Sequence, residues 1–138
     1  VYMLAPIIGL INNRKGFIDP GDENKDTAGM LAEILIKNQR KLKYINRIIQ
    51  LLDDSSNITK EERINRSFRD DSQEVIAEGM KIFHEYFLGG LEVLYETFVL
   101  SCTTDEDYIN KIFEFVDTFK REQDIDELEL DVEKLLGR

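Results

Sequence analysis

The longest run of helix-like periodicity in the chain lies between positions 72 and 100. Its apolar residues follow one another at steps of three or four, which is the spacing of one face of an α-helix. They are Ile76, Met80, Phe83, Phe87, Leu91, Leu94 and Phe98. Further apolar residues widen this face, as is typical of a helix buried on more than one side. The pattern predicts a central helix over about 72–100, about 40 Å long.

Four further helical stretches are expected around this central helix. They lie over about 27–52, from 60 onward, over about 105–121 and over about 124–136. Capping boxes at Thr59–Glu62 and Thr103–Glu106 mark two of the starts. No glycine or proline separates 60 from 72, so a continuous or kinked helix over 60–100 is favoured over a new start capped by Asp71.

The helix predicted over 105–121 carries its own apolar face. That face comprises Ile109, Ile112, Phe113, Val116 and Phe119. Because these residues recur at helical spacing, we expect them to be buried within the bundle.

The N-terminal stretch Tyr2–Ile11 is apolar but contains Pro6 and Gly9. Three interpretations remain open: a short helix that starts near Pro6, an N-terminal arm, or the end of an upstream element. A loop is expected over 12–26, with a turn at 19–22. The sequence begins with Val1 and not with methionine, so we expect a fragment of a longer protein or a processed product.

Together these elements predict an all-α fold. We expect an antiparallel bundle of four to five helices around the central helix, in a single domain over 1–138 with a loop-rich N-terminus. Residues 1–26 would form the arm and loop, and 27–136 the helical bundle. With 138 residues, 42% of them hydrophobic, the chain is long and apolar enough to form a globular core.

The net charge of −10 is unevenly distributed. Residues 1–69 hold 12 basic and 9 acidic residues, whereas 70–138 hold 6 and 19. Such an asymmetry affects the choice of partners more than the fold. The simplest interpretation is that the basic and acidic halves face each other inside one bundle.

Two groups of basic residues form a candidate site for nucleic acid or another polyanion. They are Lys37, Arg40, Lys41, Lys43 and Arg47 in the first long helix, and Arg63, Arg66 and Arg69 in the second. Cations gathered on adjoining helices can contact a row of phosphates. The overall acidity of the chain opposes nonspecific binding, so this function is the alternative.

Gly89 and Gly90 stand in the middle of the predicted central helix. Glycine there costs about 1 kcal/mol relative to alanine, so a close approach of another element is expected to compensate for it. Either a partner protein crosses at this point, flanked by Tyr86 and Tyr95, or the helix over 27–52 crosses there internally. We predict Tyr86, Gly89, Gly90, Tyr95 and the apolar stretch Tyr2–Ile11 as the interaction site.

The sequence offers little for catalysis. His84 is the single histidine and Cys102 the single cysteine, and neither stands in a known catalytic or metal-binding spacing. Positions 22–33 resemble a calcium loop, but Thr27 replaces its essential glycine. We therefore expect no enzyme activity, no metal and no cofactor.

The leading prediction is a noncatalytic helical module for protein–protein interaction or oligomerisation, as a subunit or accessory domain of a larger assembly. No stretch reaches the length of apolar sequence needed to cross a membrane. A single cysteine suits a reducing compartment, so a cytoplasmic location is expected.

Overall fold

The structure is a computed structural model that describes residues 1–17, 32–55 and 57–122, with the backbone alone for 32–35. These residues form five α-helices and one π-helical segment, with no strand among them. The helices are α1 (Ala5–Ile11), α2 (Ala32–Leu52), α3 (Lys60–Phe68), α4 (Gln73–Tyr95) and α5 (Asp105–Glu122), and the π-helical segment is Glu96–Leu100. The all-α prediction is confirmed.

Several predicted elements lie outside the described residues. They are the turn at 19–22, most of the calcium-loop candidate at 22–33, the start of the helix predicted over 27–52, and the helix over 124–136. The antiparallel order of the helices and the single domain over 1–138 stay predictions.

The chain divides into two compact units, Val1–Leu94 and Tyr95–Arg138. In the first unit, Ile49 of α2 packs with Phe83 and Tyr86 of α4 to form the buried core. Partly buried residues surround this core: Tyr2, Leu10, Leu42, Ile45 and Ile82. Helix α4 therefore supplies two of the three core residues, but Ile76, Met80 and Leu91 of its predicted apolar face are exposed.

Helix α3 begins where its capping box predicted. The Thr59 hydroxyl accepts a hydrogen bond from the backbone N–H of Glu62 at 3.2 Å. This bond satisfies one of the N–H groups that have no partner within the first turn of a helix.

The helix is not continuous from 60 to 100, which corrects the favoured prediction. The backbone N–H groups of Arg69 and Asp70 both donate to the carbonyl of Asn65, which ends α3. The Asp70 carboxylate then accepts from the N–H of Ser72 at 2.9 Å. An aspartate that bonds the backbone two residues ahead favours a turn over a helix, so α4 starts anew at Gln73.

In the second unit, the cap of α5 lies one residue later than predicted. The Thr104 hydroxyl accepts from the N–H of Asp107 at 3.2 Å, and the Asp107 carboxylate accepts from the N–H of Thr104 at 2.9 Å. The hydrogen bonds from Thr104 and Thr103 lower the pKa of Asp107 to about 2. The capping box is thus Thr104–Asp107, with Asp107 in place of the predicted Glu106.

Helix α1 lies directly on the middle of α4 at a contact between backbones. A Cβ atom added to Gly90 would overlap the carbonyl oxygen of Ala5, and one added to Gly9 would overlap that of Tyr86. Beyond α1, a Cβ atom at Gly89 would overlap the carbonyl of Arg14. The crossing at Gly89 and Gly90 is therefore internal, but its partner is α1 rather than the predicted helix over 27–52.

We expect Gly90→Ala to destabilise the protein by about 1–3 kcal/mol, since the added methyl group meets backbone that no rotamer change can move. The matched control is Gly79→Ala in the same helix, where the added atom meets only the flexible end of the Gln50 side chain. That control should be neutral or gain up to about 1 kcal/mol from its helix propensity. Urea unfolding followed by circular dichroism measures both, and equal stability of the two variants would contradict this packing.

Candidate functional site

The structure brings together three of the four predicted interaction residues, but inside the fold. Tyr86 is only 2% exposed, and Gly89 and Gly90 are covered by α1 and the segment that follows it. Tyr95 is 53% exposed and begins the second unit. The stretch Tyr2–Ile11 contains the short helix α1, which was one of its three interpretations.

A buried polar cluster lies beside this crossing. The Asp53 carboxylate, 1% exposed, accepts hydrogen bonds from the Tyr86 hydroxyl at 2.8 Å and from the Ser55 hydroxyl at 2.9 Å. The Lys15 ammonium lies 3.0 Å from Asp53 and 3.5 Å from Glu85. It also lies 4.7 Å from the centre of the Tyr86 ring, within the range of a cation–π contact.

The electrostatics of this cluster favour one fixed protonation state. Burial raises the pKa of the Asp53 carboxyl, but the hydrogen bonds from Tyr86, Lys15 and Ser55, together with the charge of Lys15, bring it below its usual value. Burial and the hydrogen bond to Asp53 raise the pKa of Tyr86. Near neutral pH the aspartate is therefore ionised and the tyrosine protonated.

The cluster connects three parts of the first unit. Lys15 follows α1, Asp53 directly follows α2, and Tyr86 belongs to α4. The backbone N–H of Gly16 also donates to the carbonyl of Glu85 at 2.8 Å. These contacts fasten the segment after α1 to α4. A buried charge without its partner would be costly, so the three groups depend on one another.

Sequence analysis did not identify Asp53, which lies just after the end of the helix predicted over 27–52. Its burial could have been inferred from its position four residues after Ile49. Residues four apart lie on the same face of a helix, so Asp53 continues the buried face of α2. The adjacent Asp54 has an 88% exposed side chain and pairs with Arg63 at the surface. The sequence does not distinguish these two neighbouring aspartates.

A cleft of about 500 Å³ opens between α2, α3 and α4 in the first unit. Its apolar lining includes Leu42, Val75, Ile76, Met80 and Phe83. Its polar lining includes Lys43, Arg47 and Arg66 together with Asp70 and Asp71. Three of the predicted polyanion-binding residues therefore share this cleft, but they do so with two carboxylates.

The eight predicted polyanion-binding residues divide into two classes, those with a carboxylate partner and those without one among the described residues. Arg63 pairs with Asp54, Arg66 with Glu62 and Glu78, and Arg47 lies 3.9 Å from Asp71. Five take part in none of the ion pairs between described residues and are exposed: Lys37, Arg40, Lys41, Lys43 and Arg69. Four of these five belong to α2, so the exposed residues of the predicted polyanion site are concentrated on that helix.

Helix α5 presents two different apolar surfaces. Phe115 packs on Phe98 of the π-helical segment, with ring centres 5.4 Å apart, and Phe119 stacks beside Phe115. A second row is exposed by 44–71%: Ile109, Ile112, Phe113 and Val116. The prediction that these four are buried is wrong, because the aromatic row makes the inward contact in this unit.

Two further chemically reactive residues, His84 and Cys102, belong to different units of the chain. His84 is exposed, and its ring nitrogen lies 3.4 Å from the Tyr2 hydroxyl. Cys102 is buried, 3.9 Å from the Ser101 hydroxyl. Within residues 1–17, 32–55 and 57–122, no three His, Cys, Asp or Glu side chains are placed so that they could share a metal ion.

Comparison with protein-family models, with curated proteins and with solved structures gives no match for this chain. Among the described helices, none combines the length and the apolar character that a membrane span requires.

We expect Asp53→Asn to lower the free energy of unfolding by about 1–3 kcal/mol at pH 7, because Tyr86 and Lys15 lose a charged acceptor. The matched control Asp54→Asn alters an exposed pair and should change stability by less than about 1 kcal/mol. Urea denaturation gives both values. A loss for Asp53→Asn no larger than that of the control would contradict a specific stabilising role for the Asp53 cluster.

The stabilising effect of Asp53 should also depend on pH. Its folded-state pKa is lowered, so its contribution is fully present above the unfolded-state value of about 3.9 and is lost as pH falls through the folded-state value. The stability difference between wild type and Asp53→Asn should therefore shrink from about pH 5 towards pH 3. A difference that stays constant over this range would contradict an ionised Asp53. The pKa of Asp107 is also lowered, but Asp107 is present in both proteins, so its pH-dependent contribution cancels in the stability difference.

Proposed function

We propose that this chain is a noncatalytic helical interaction module that self-associates through α5, as part of a cytoplasmic assembly. The noncatalytic part is supported by the Asp53 cluster, whose aspartate is ionised and whose tyrosine is protonated near neutral pH, so that neither readily exchanges a proton there. The location rests on the single cysteine, which suits a reducing compartment.

The observation that carries the proposal is the exposed apolar row of α5. Ile109, Ile112, Phe113 and Val116 stand at i, i+3, i+4 and i+7, so they form one continuous stripe on the helix. Contiguous apolar surface rimmed by charged residues is typical of a protein interface. The same four-position pattern anchors helices that bind in the groove of another helical surface.

The interaction surface proposed here differs from the residues chosen from the sequence. Tyr86, Gly89 and Gly90 contact this chain's own backbone, so a partner would reach them only if α1 left α4. The buried cluster of Lys15 and Asp53 opposes that departure. The exposed apolar stripe of α5 requires no such rearrangement.

Light scattering over a concentration series tests the proposal. We expect the mean mass of the wild type to rise with concentration, and Phe113→Asp to weaken this association at least tenfold, since a buried charge would replace a central aromatic contact. The matched control is Ile36→Asp in α2, because Ile36 is 72% exposed and Phe113 71%. A wild type that remains monomeric up to about 1 mM would overturn the proposal.

Polyanion binding is the second candidate function, and the exposed cations of α2 favour it. Arg63 and Arg66 already have carboxylate partners, whereas Lys37, Arg40 and Lys41 have none among the described residues. The binding surface proposed for this function is therefore narrowed from two helices to α2.

A fluorescently labelled 20-base-pair DNA duplex at low salt tests this second function. Replacing Lys37, Arg40 and Lys41 by glutamine should weaken binding and reduce the slope of log affinity against log salt by about three. The control Arg63→Gln should leave that slope unchanged. No change in fluorescence anisotropy on mixing with the wild type at low salt would exclude this function.

A further inference from the structure

The exposed stripe of α5 ends in opposite charges. Asp105 lies four residues before Ile109, and Lys120 lies four residues after Val116. At 3.6 residues per turn, both fall on the same side of the helix as the four apolar residues. The whole series therefore runs along one side of α5: Asp105, Ile109, Ile112, Phe113, Val116 and Lys120.

This series has the same spacing when it is read from either end. The steps are four, three, one, three and four, with the midpoint between Ile112 and Phe113. A two-fold symmetric dimer places the same surface of both copies in contact, so it needs a surface that complements itself. Two copies of this helix meet that condition when they lie antiparallel about the midpoint.

We propose that the partner of α5 is α5 of a second copy of this chain, packed antiparallel. This inference rests on the proposed function and specifies its geometry. In that arrangement Ile112 lies opposite Phe113 of the second copy, and Ile109 lies opposite Val116. Asp105 of each copy lies opposite Lys120 of the other, so opposite charges meet at both ends.

The charges of α5 favour this orientation over a parallel pair. The first turn holds Asp105, Glu106 and Asp107, and the last turn holds Lys120 and Arg121. A parallel pair would place acidic turn against acidic turn and basic turn against basic turn. The ion pairs among the described residues of α5 join Lys111 to Glu114 and Arg121 to Asp117, and they engage neither Asp105 nor Lys120.

The expected association is reversible and depends on protein concentration. The stripe spans 15 residue steps, or about 22 Å along the helix. A contact between two such faces is small compared with the interfaces of permanent dimers. Because exposed charge pairs flank it, raising the salt concentration should weaken it.

The test uses two single charge reversals, Asp105→Lys and Lys120→Asp, in the full chain. Each variant alone places like charges at both ends of its antiparallel dimer, so we expect roughly tenfold weaker self-association at low salt. A one-to-one mixture of the two variants forms opposite-charge pairs at both ends of the mixed dimer. That mixture should associate about as tightly as the wild type. Sedimentation velocity measures all four samples.

The outcomes separate this inference from the proposed function. A parallel pair already has like charges at both ends in the wild type, so single reversals would leave its affinity unchanged and would overturn the antiparallel geometry alone. A wild type that stays monomeric would overturn both. A charge reversal that destabilises the helix would also weaken self-association of each single variant, but mixing the two variants would not restore the association. A mixture that fails to recover wild-type association therefore contradicts the proposed pairing.

Discussion

The first unit depends on the close contact between α1 and the middle of α4. Two backbones can approach this closely only where no Cβ atom points into the contact, and Gly9, Gly89 and Gly90 provide that space. The contact in turn positions Lys15 over Tyr86 and beside Asp53. The steric fit and the buried charge cluster thus reinforce each other, because the cluster forms only when the segment after α1 lies along α4.

This arrangement determines which apolar surface remains open to a partner. The middle of α4, which has the strongest helical pattern in the sequence, is covered by the chain's own N-terminal helix. In the second unit, Phe115 contacts both Phe98 and Phe119, and the neighbouring stripe of α5 is exposed. The proposed function therefore follows from which contacts are made within each unit.

The sequence predicted the elements better than their partners. The periodicity of 72–100 and 105–121 and the capping box at Thr59 depend on neighbours along the chain, and the helices lie where these patterns placed them. The break before α4 was missed because one side chain, Asp70, bonds the backbone of Ser72 in a stretch without glycine or proline. Gly89 and Gly90 correctly indicated a close approach, but they carry no information on which element approaches.

The candidate site was harder to predict because it also depends on contacts between residues that are distant in the sequence. Asp53 and Asp54 have identical local chemistry, and only the tertiary contacts of Tyr86 and Lys15 bury one of them. Likewise, an apolar stripe has the same periodicity in a core and at an interface, so the exposure of Phe113 required the structure.

The most direct test of the proposed pairing is the distance between two copies of α5. Spin labels attached at Asn110→Cys or Glu122→Cys, in a Cys102→Ser background, would report it by pulsed electron resonance. An antiparallel pair centred between Ile112 and Phe113 places the two backbones about 12 Å apart at position 110 and about 30 Å apart at position 122. Equal short distances at both positions, or no distance between chains, would contradict the account.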